Sequence, residues 1–294
     1  MTLWKTTRAL WPSQRRERIK LSLGRLIQPG PTHAWLSYLH ADELLWQQVQ
    51  RFPKFVTRIY RPYALRTLSA QQRVEHMIGH YDALKLQGLR ALLEQSVDAP
   101  LLLTALPTKN SIPAHLQLVS VYDGHREGEA HLQMIWNGER LYSLSFLLRR
   151  KGDACQLLVT RLQGPNHAQA RDQIREATKG LHALRPAILM VQVIRQMAQS
   201  MGCSEVLLVS HRLRVALNPM RRWKIPANLE NLWAELGAQP TPQGLFTLSP
   251  QVQVPQDFSD VASNKRAEAR RRADLLQSTL DQVDRALSSL IHRA

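Results

Sequence analysis

The sequence predicts an α+β protein: a mainly helical N-terminal part over residues 1–105, a linker over 106–113, and a mixed-sheet C-terminal part over 114–294 that ends in a long basic amphipathic helix. Three observations carry this. In the first part apolar residues recur at helical spacing, as in Val74, Ile78, Tyr81 and Leu84. From residue 116 the pattern changes to strand-like segments separated by turn pairs, of which Asn137-Gly138 is the strongest. Near the C-terminus Ala269, Ala273, Leu276, Leu280, Val283, Leu287 and Leu290 alternate in spacings of four and three, the seam of a long helix.

In the first part Asp42 stands where an N-cap belongs, ahead of Leu44, Leu45, Val49 and Phe52 on one helix face, and Pro53 ends that stretch. Ser69 opens a second helical segment over residues 69–96, with Gly79 and Gly88 as points where it can break. Residues 99–113 contain three prolines and read as a long loop between the two parts.

In the second part, residues 116–122, 129–136, 141–148 and 155–162 form an antiparallel meander, turning at Asp123-Gly124, Asn137-Gly138 and near Gly152. Residues 166–179 are a polar helix, and Pro186 suits the first position of another, which buries Ile188, Leu189, Val193, Ile194, Met197 and Met201 and stops at Gly202. Residues 205–210 are a short buried strand. Because helices separate it from strand 155–162, the two should run parallel. Residues 228–236 suggest a helix, 244–248 a strand, and the last helix begins near Asp260. Its seam is a few heptads long, which favours docking on its own domain over an intermolecular coiled coil.

The chain has 294 residues, 44% of them hydrophobic, enough for a substantial core. No apolar run reaches membrane-span or signal-peptide length, so the expected compartment is the cytoplasm, with peripheral contact at the inner membrane. Cys155 and Cys203 form no CxxC pair, which argues against a disulfide framework or a zinc site. The net charge of +16 suits phosphate-bearing partners: nucleic acid, anionic lipid or a phosphorylated cofactor. No zinc finger, RNA-recognition signature or basic zipper points to sequence-specific nucleic-acid binding.

Several segments resemble motifs of the VirK/YbjX family. They are Glu127-Gly128-Glu129, Leu162-Gln163-Gly164, the run from Thr178 through Leu181, His182 and Arg185 to Pro186, Val209-Ser210, and the basic run Lys265, Arg266, Arg270, Arg271 and Arg272. His80-Tyr81 and the stretch Trp233, Glu235, Leu236, Gly237 are weaker matches. Ala183 stands where the family has glycine, and Ala269 replaces an aromatic residue. The resemblance implies a Gram-negative bacterial protein tied to envelope stress, damage response, host interaction or virulence, without an established reaction.

The order of elements is also similar to the acyl-CoA N-acyltransferase fold. That likeness implies an acyl-CoA or phosphopantetheine donor, with Gln163, Gly164, His182 and Arg185 positioned to hold its phosphates near helix N-termini. Glu127 and Glu129, with His131 alternating on one strand face and His125 nearby, could supply a general base for an amine acceptor or ligate a metal; a solvated strand end is the plainer alternative. Ser210-His211 lacks the elbow motif of a hydrolase. Lys265, Arg266, Arg270, Arg271 and Arg272 sit where a helix dipole disfavours cations, which points to an anionic ligand, a membrane surface or an acidic patch of the protein. Pairing with Glu268 and Asp274 on a solvated face is the alternative.

Overall fold

Local signals in the N-terminal part set its helix ends. The computed structural model describes residues 3–216 and 229–291, and Asn228 of the suggested helix lies outside them. Helices α1 (Leu3–Ala9), α2 (Arg15–Ile27) and α3 (Pro29–His40) lead to α4 (Glu43–Arg51), where the Asp42 side chain accepts from the Leu45 amide. Pro53 ends α4 and also opens α5 (Pro53–Thr57) as its first residue, a position where a missing N–H costs nothing. Ser69 and Gln72 form a reciprocal capping box on α6 (Ala70–Leu86). The segment 69–96 is two helices, because Gly88 adopts φ +64° and the chain restarts as α7 (Arg90–Ser96).

Residues 101–105 correct the loop expected over 99–113. They form β1 (Leu101–Ala105), antiparallel to β2 (Ala114–Ser120). The prolines misled because they flank the strand at Pro100, Pro107 and Pro113 and do not interrupt it. β3 (Ala130–Trp136) and β4 (Glu139–Lys151) follow, joined by Asn137 and Gly138 at φ +50° and +80° as the hairpin requires. Then come β5 (Ala154–Gln163), α8 (Ala170–Gly180), α9 (Pro186–Ser200), β6 (Cys203–Val209), α10 (Glu230–Glu235), β7 (Gln239–Pro240), β8 (Leu245–Leu248) and α11 (Ser263–Ile291).

The described strands make one sheet in the order β1-β2-β3-β4-β5-β6-β8-β7. Only β5 and β6 are parallel, as the crossover through α8 and α9 requires. Cys155 and Cys203 are register partners on these strands, with their free thiols 3.1 Å apart in the core. Leu118, Leu132, Leu144 and Leu162 stand opposite one another across β2–β5 and are buried. α9 packs on β3, β4 and β5, and Gly180 of α8 lies against the Trp136 ring, where a Cβ would come within 2.4 Å. α11 docks on α9, β1 and α7, and its whole apolar seam is buried, so the seam is used inside the chain. One hydrophobic cluster runs through both parts.

Candidate functional site

β5 outruns its parallel neighbour. Residues 155–159 pair with 203–208, β6 ends at Val209, and β5 continues to Gln163. β5 and β6 therefore part at the carboxyl ends of two parallel strands, and a crevice at such a position is where open α/β sheets commonly bind ligands. A β-bulge marks its start: the β4–β5 register shifts at Ser145/Phe146, and the extra residue, Thr160, donates its hydroxyl to the carbonyls of Glu127 and Ser145.

The same register builds a polar sheet face. Val119, His131, Ser145 and Arg161 are opposite one another on β2–β5, as are Gln117, Gln133, Ser143 and Gln163. Directly opposed residues share a face. The side chains backing the leucine rows are thus polar, and Gln117, Gln133, Ser143 and Arg161 are half-buried. Sequence reasoning missed Arg161. Its alternation with Gln163 on β5 was the available signal.

Glu127 and Glu129 do not share one face. Gly128, at φ +145°, breaks the extended alternation, and a Cβ there would lie 2.5 Å from the Phe146 carbonyl oxygen. Glu127 turns to Arg161 and forms an ion pair with it, its side chain 14% exposed. Glu129 precedes β3 and is sealed in the interior. It forms an ion pair with Arg58 and accepts hydrogen bonds from the Tyr63 and Tyr81 hydroxyls. The solvated strand end considered for this carboxylate is overturned, since both it and Arg58 have no exposed side-chain surface. Burial, then the Glu129 charge, raises both tyrosine pKa values well above the ordinary range. Burial opposes the Arg58 charge, but Glu129 more than offsets it and the guanidinium pKa rises.

His80 and Tyr81 belong to this core: His80 Nδ1 accepts from the Leu148 amide at 3.0 Å, and burial depresses its pKa to about 4. His131 is also held near 4, by burial and then by the neighbouring charges of His125 and Arg161. The His125 ring lies edge-on to His131 and bonds to Asp123 through Nδ1. Among the described residues no group of three or more His, Cys, Asp or Glu side chains is placed to hold a metal ion.

The residues suggested for donor phosphates fall into two groups. Gly164 lies against the Tyr142 ring, 3.0 Å from where its Cβ would be, and the charge of Arg185 acts on the same tyrosine. Gln163 is exposed at the end of β5. Arg185, the residue before α9, forms a half-exposed ion pair with Glu235 of α10. Three motif stretches thereby meet, because Trp233 Nε1 also donates to the Val209 carbonyl at 3.0 Å. His182 belongs elsewhere: its electrostatic neighbours are Lys109, Arg271 and Glu268, at the start of α11. His182 and Ala183 both have left-handed backbones, at φ +54° and +63°.

Lys265, Arg266, Arg270, Arg271 and Arg272 are all exposed on the first turns of α11. Arg266 donates to the carbonyls of Val261 and Ser259, and Glu268 pairs with Lys109. Ser210 Oγ and His211 Nδ1 are buried and make no hydrogen bond among the described residues, to each other or to a third group. Among the described residues no helix is long and apolar enough to cross a membrane.

The chain is 26% identical over 272 residues to YbjX of Escherichia coli (strain K12), covering 90% of this chain and 82% of that protein. A protein of Haemophilus influenzae (strain Rd) is 25% identical over 242 residues, covering 81% and 80% of the two chains. The membrane protein LapB of Mannheimia haemolytica is 23% identical over 215 residues, covering 69% of this chain and 89% of LapB. No solved structure matches the chain. The model of DUF535, a protein family of unknown function, matches residues 11–285, and the chain belongs to that family.

Proposed function

We propose that the chain transfers an acyl group from a CoA- or phosphopantetheine-linked thioester to an amine, in the crevice where β5 parts from β6. The observation that carries this is the run of β5 over residues 160–163 beyond the end of β6, opening beside a polar sheet face. The element order supports it: an antiparallel run, a helical crossover, a parallel neighbour, then a further helix and strand. Gln163, Gly164 and Arg185 cluster at the end of β5 and receive the donor phosphates, with Arg185 exchanging Glu235 for a phosphate oxygen.

The acceptor amine attacks the thioester carbonyl, the C–N bond forms, the C–S bond breaks, and the donor leaves as a thiolate that becomes the thiol by taking up the amine's proton from the base. The proton lost by the amine goes to Glu127, the carboxylate open to the crevice, while Arg161 positions it. Glu129, sealed behind Gly128, keeps a structural role. The family resemblance supports a bacterial setting of envelope stress, damage response or virulence for this chemistry.

A thermal-shift screen against CoA, acyl-CoAs and acyl-phosphopantetheine tests the reading. A saturable rise in Tm that is lost in Arg185→Ala is expected. No response to any donor by the wild-type protein sinks it.

A second reading rests on the exposed cations of α11, Lys265, Arg266, Arg270, Arg271 and Arg272, which suit an anionic membrane surface. The name of the relative LapB, a membrane protein, agrees with it. Flotation with anionic but not neutral liposomes, weakening with salt, is its expected result. Equal flotation with both kinds removes it.

A further inference from the structure

We propose that Arg61, Arg126 and Arg161 form an oxyanion-binding recess at the end of the β5–β6 crevice, one that takes a carboxylate or phosphate group of a small molecule.

The backbone brings these arginines together. The Ala64 amide donates to the Arg126 carbonyl at 2.8 Å, Leu65 bridges to Arg214, and the Arg66 amide donates to the Leu213 carbonyl at 3.0 Å. Residues 61–66 are therefore wedged between the loop carrying Arg126 and Glu127 and the segment that follows β6. Arg161 reaches the same place from β5 through its pair with Glu127. The wedge holds Ala64 at φ +53°, a left-handed conformation that costs a non-glycine residue about 1 kcal/mol.

Cations outnumber carboxylates in the recess, where Glu127 faces Arg61, Arg126 and Arg161. Arg161 pairs with Glu127, and among the described residues no carboxylate lies within ion-pair distance of Arg61 or Arg126. Burial, then the like charge of Arg61, lowers the Arg126 pKa against the opposing charge of Glu127. An oxyanion is the complement of such a site, because guanidinium forks match its geometry.

A third observation is independent of the arginines. His131 stands in register with Ser145 and Arg161, is 8% exposed, and its Nε2 has no hydrogen-bond partner among the described residues. That leaves a buried polar atom on the face that leads into the recess, where a bound oxygen would satisfy it. The recess is set back: the Glu127 and Arg161 side chains are 14% and 28% exposed. This favours a small molecule over the phosphates of a flat membrane.

The site stands on these features alone. Its use as the acceptor subsite rests on the transferase reading. The test is a Tm titration of the full-length protein with sodium phosphate and with sodium succinate, against sodium chloride at equal ionic strength. A saturable rise with at least one oxyanion is expected, with half-saturation about tenfold weaker in Arg126→Gln and in Arg61→Gln. A control at exposed cations outside every proposed site, the α2 double variant Arg15→Gln/Arg16→Gln, should keep the wild-type response. Arg161 is left in place because its pair with Glu127 ties the loop to β5. Whether phosphate or succinate acts identifies the oxyanion class. No rise beyond chloride, or a rise that Arg126→Gln and Arg61→Gln both retain, overturns the recess. A protein that answers an oxyanion but no CoA compound keeps the recess and loses the transferase reading; the opposite pattern keeps the transferase and loses the recess.

Discussion

The Tyr81 hydroxyl donates to Glu129 Oε2 at 2.5 Å, joining helix α6 to the residue that leads into β3. Tyr63 and Arg58 complete the contacts of that carboxylate. Residues far apart in the chain thus form one dry polar knot between the helical part and the sheet. Breaking a buried pair by removing one partner leaves an uncompensated charge and typically costs about 3–5 kcal/mol.

Glu129→Ala should therefore destabilise the protein by about 3–5 kcal/mol. Tyr81→Phe, which removes one donor, should cost about 1–3 kcal/mol. Urea unfolding monitored by circular dichroism measures both. A loss under 1 kcal/mol in Glu129→Ala would mean that the carboxylate is replaceable and free for another role.

Gly128→Ala probes how that knot is kept apart from the crevice. At φ +145°, with a Cβ 2.5 Å from the Phe146 oxygen, alanine should cost about 2–3 kcal/mol. It should also disturb the Glu127–Arg161 pair, which cross-peaks of the Arg161 side chain in NMR spectra would report. Wild-type stability would show that the loop can rearrange freely.

Ala183→Gly should act in the opposite direction. Ala183 has φ +63°, and His182 before it +54°. Glycine adopts this conformation without the Cβ penalty, so the variant should gain about 0.5–1 kcal/mol. The glycine that the family motif carries at this position has the same physical reason. An unchanged denaturation midpoint would show that the strain is relieved elsewhere.

Stability should fall on mild acidification because of His80 and His131. Both have folded pKa values near 4, below the ordinary 6.5. Between these values the unfolded chain binds protons that the folded chain refuses, so stability rises with pH across that window and is lost as pH falls from 6.5 toward 4. Each histidine contributes a slope of up to about 1.4 kcal/mol per pH unit there. His131 faces His125, Asp123, Arg161 and Arg140. His131→Gln should flatten the profile between pH 4 and 6.5 and leave the region above pH 7 parallel to wild type. An unchanged slope would place the proton uptake elsewhere.

Where a signal was local, the amino-acid sequence determined the outcome. Asp42 and Ser69 cap their helices, Asn137-Gly138 turns its hairpin, and the crossover makes β5 and β6 parallel, because each depends on neighbours in the chain or on a handedness rule. The seam of α11 was equally legible as periodicity, whereas its partner surface on α9, β1 and α7 was not. β1 was hidden because its pairing lies with β2 across a proline-flanked loop.

The candidate site divides along the same line. Periodicity placed Gln163 at a strand end and Arg185 before a helix. Only the tertiary structure decided that Glu127 pairs with Arg161 while Glu129 is sealed in, since that depends on one glycine's approach to the backbone of another strand. The meeting of Arg61, Arg126 and Arg161 was likewise invisible, because charge convergence is a property of packed surfaces and leaves no period in the chain.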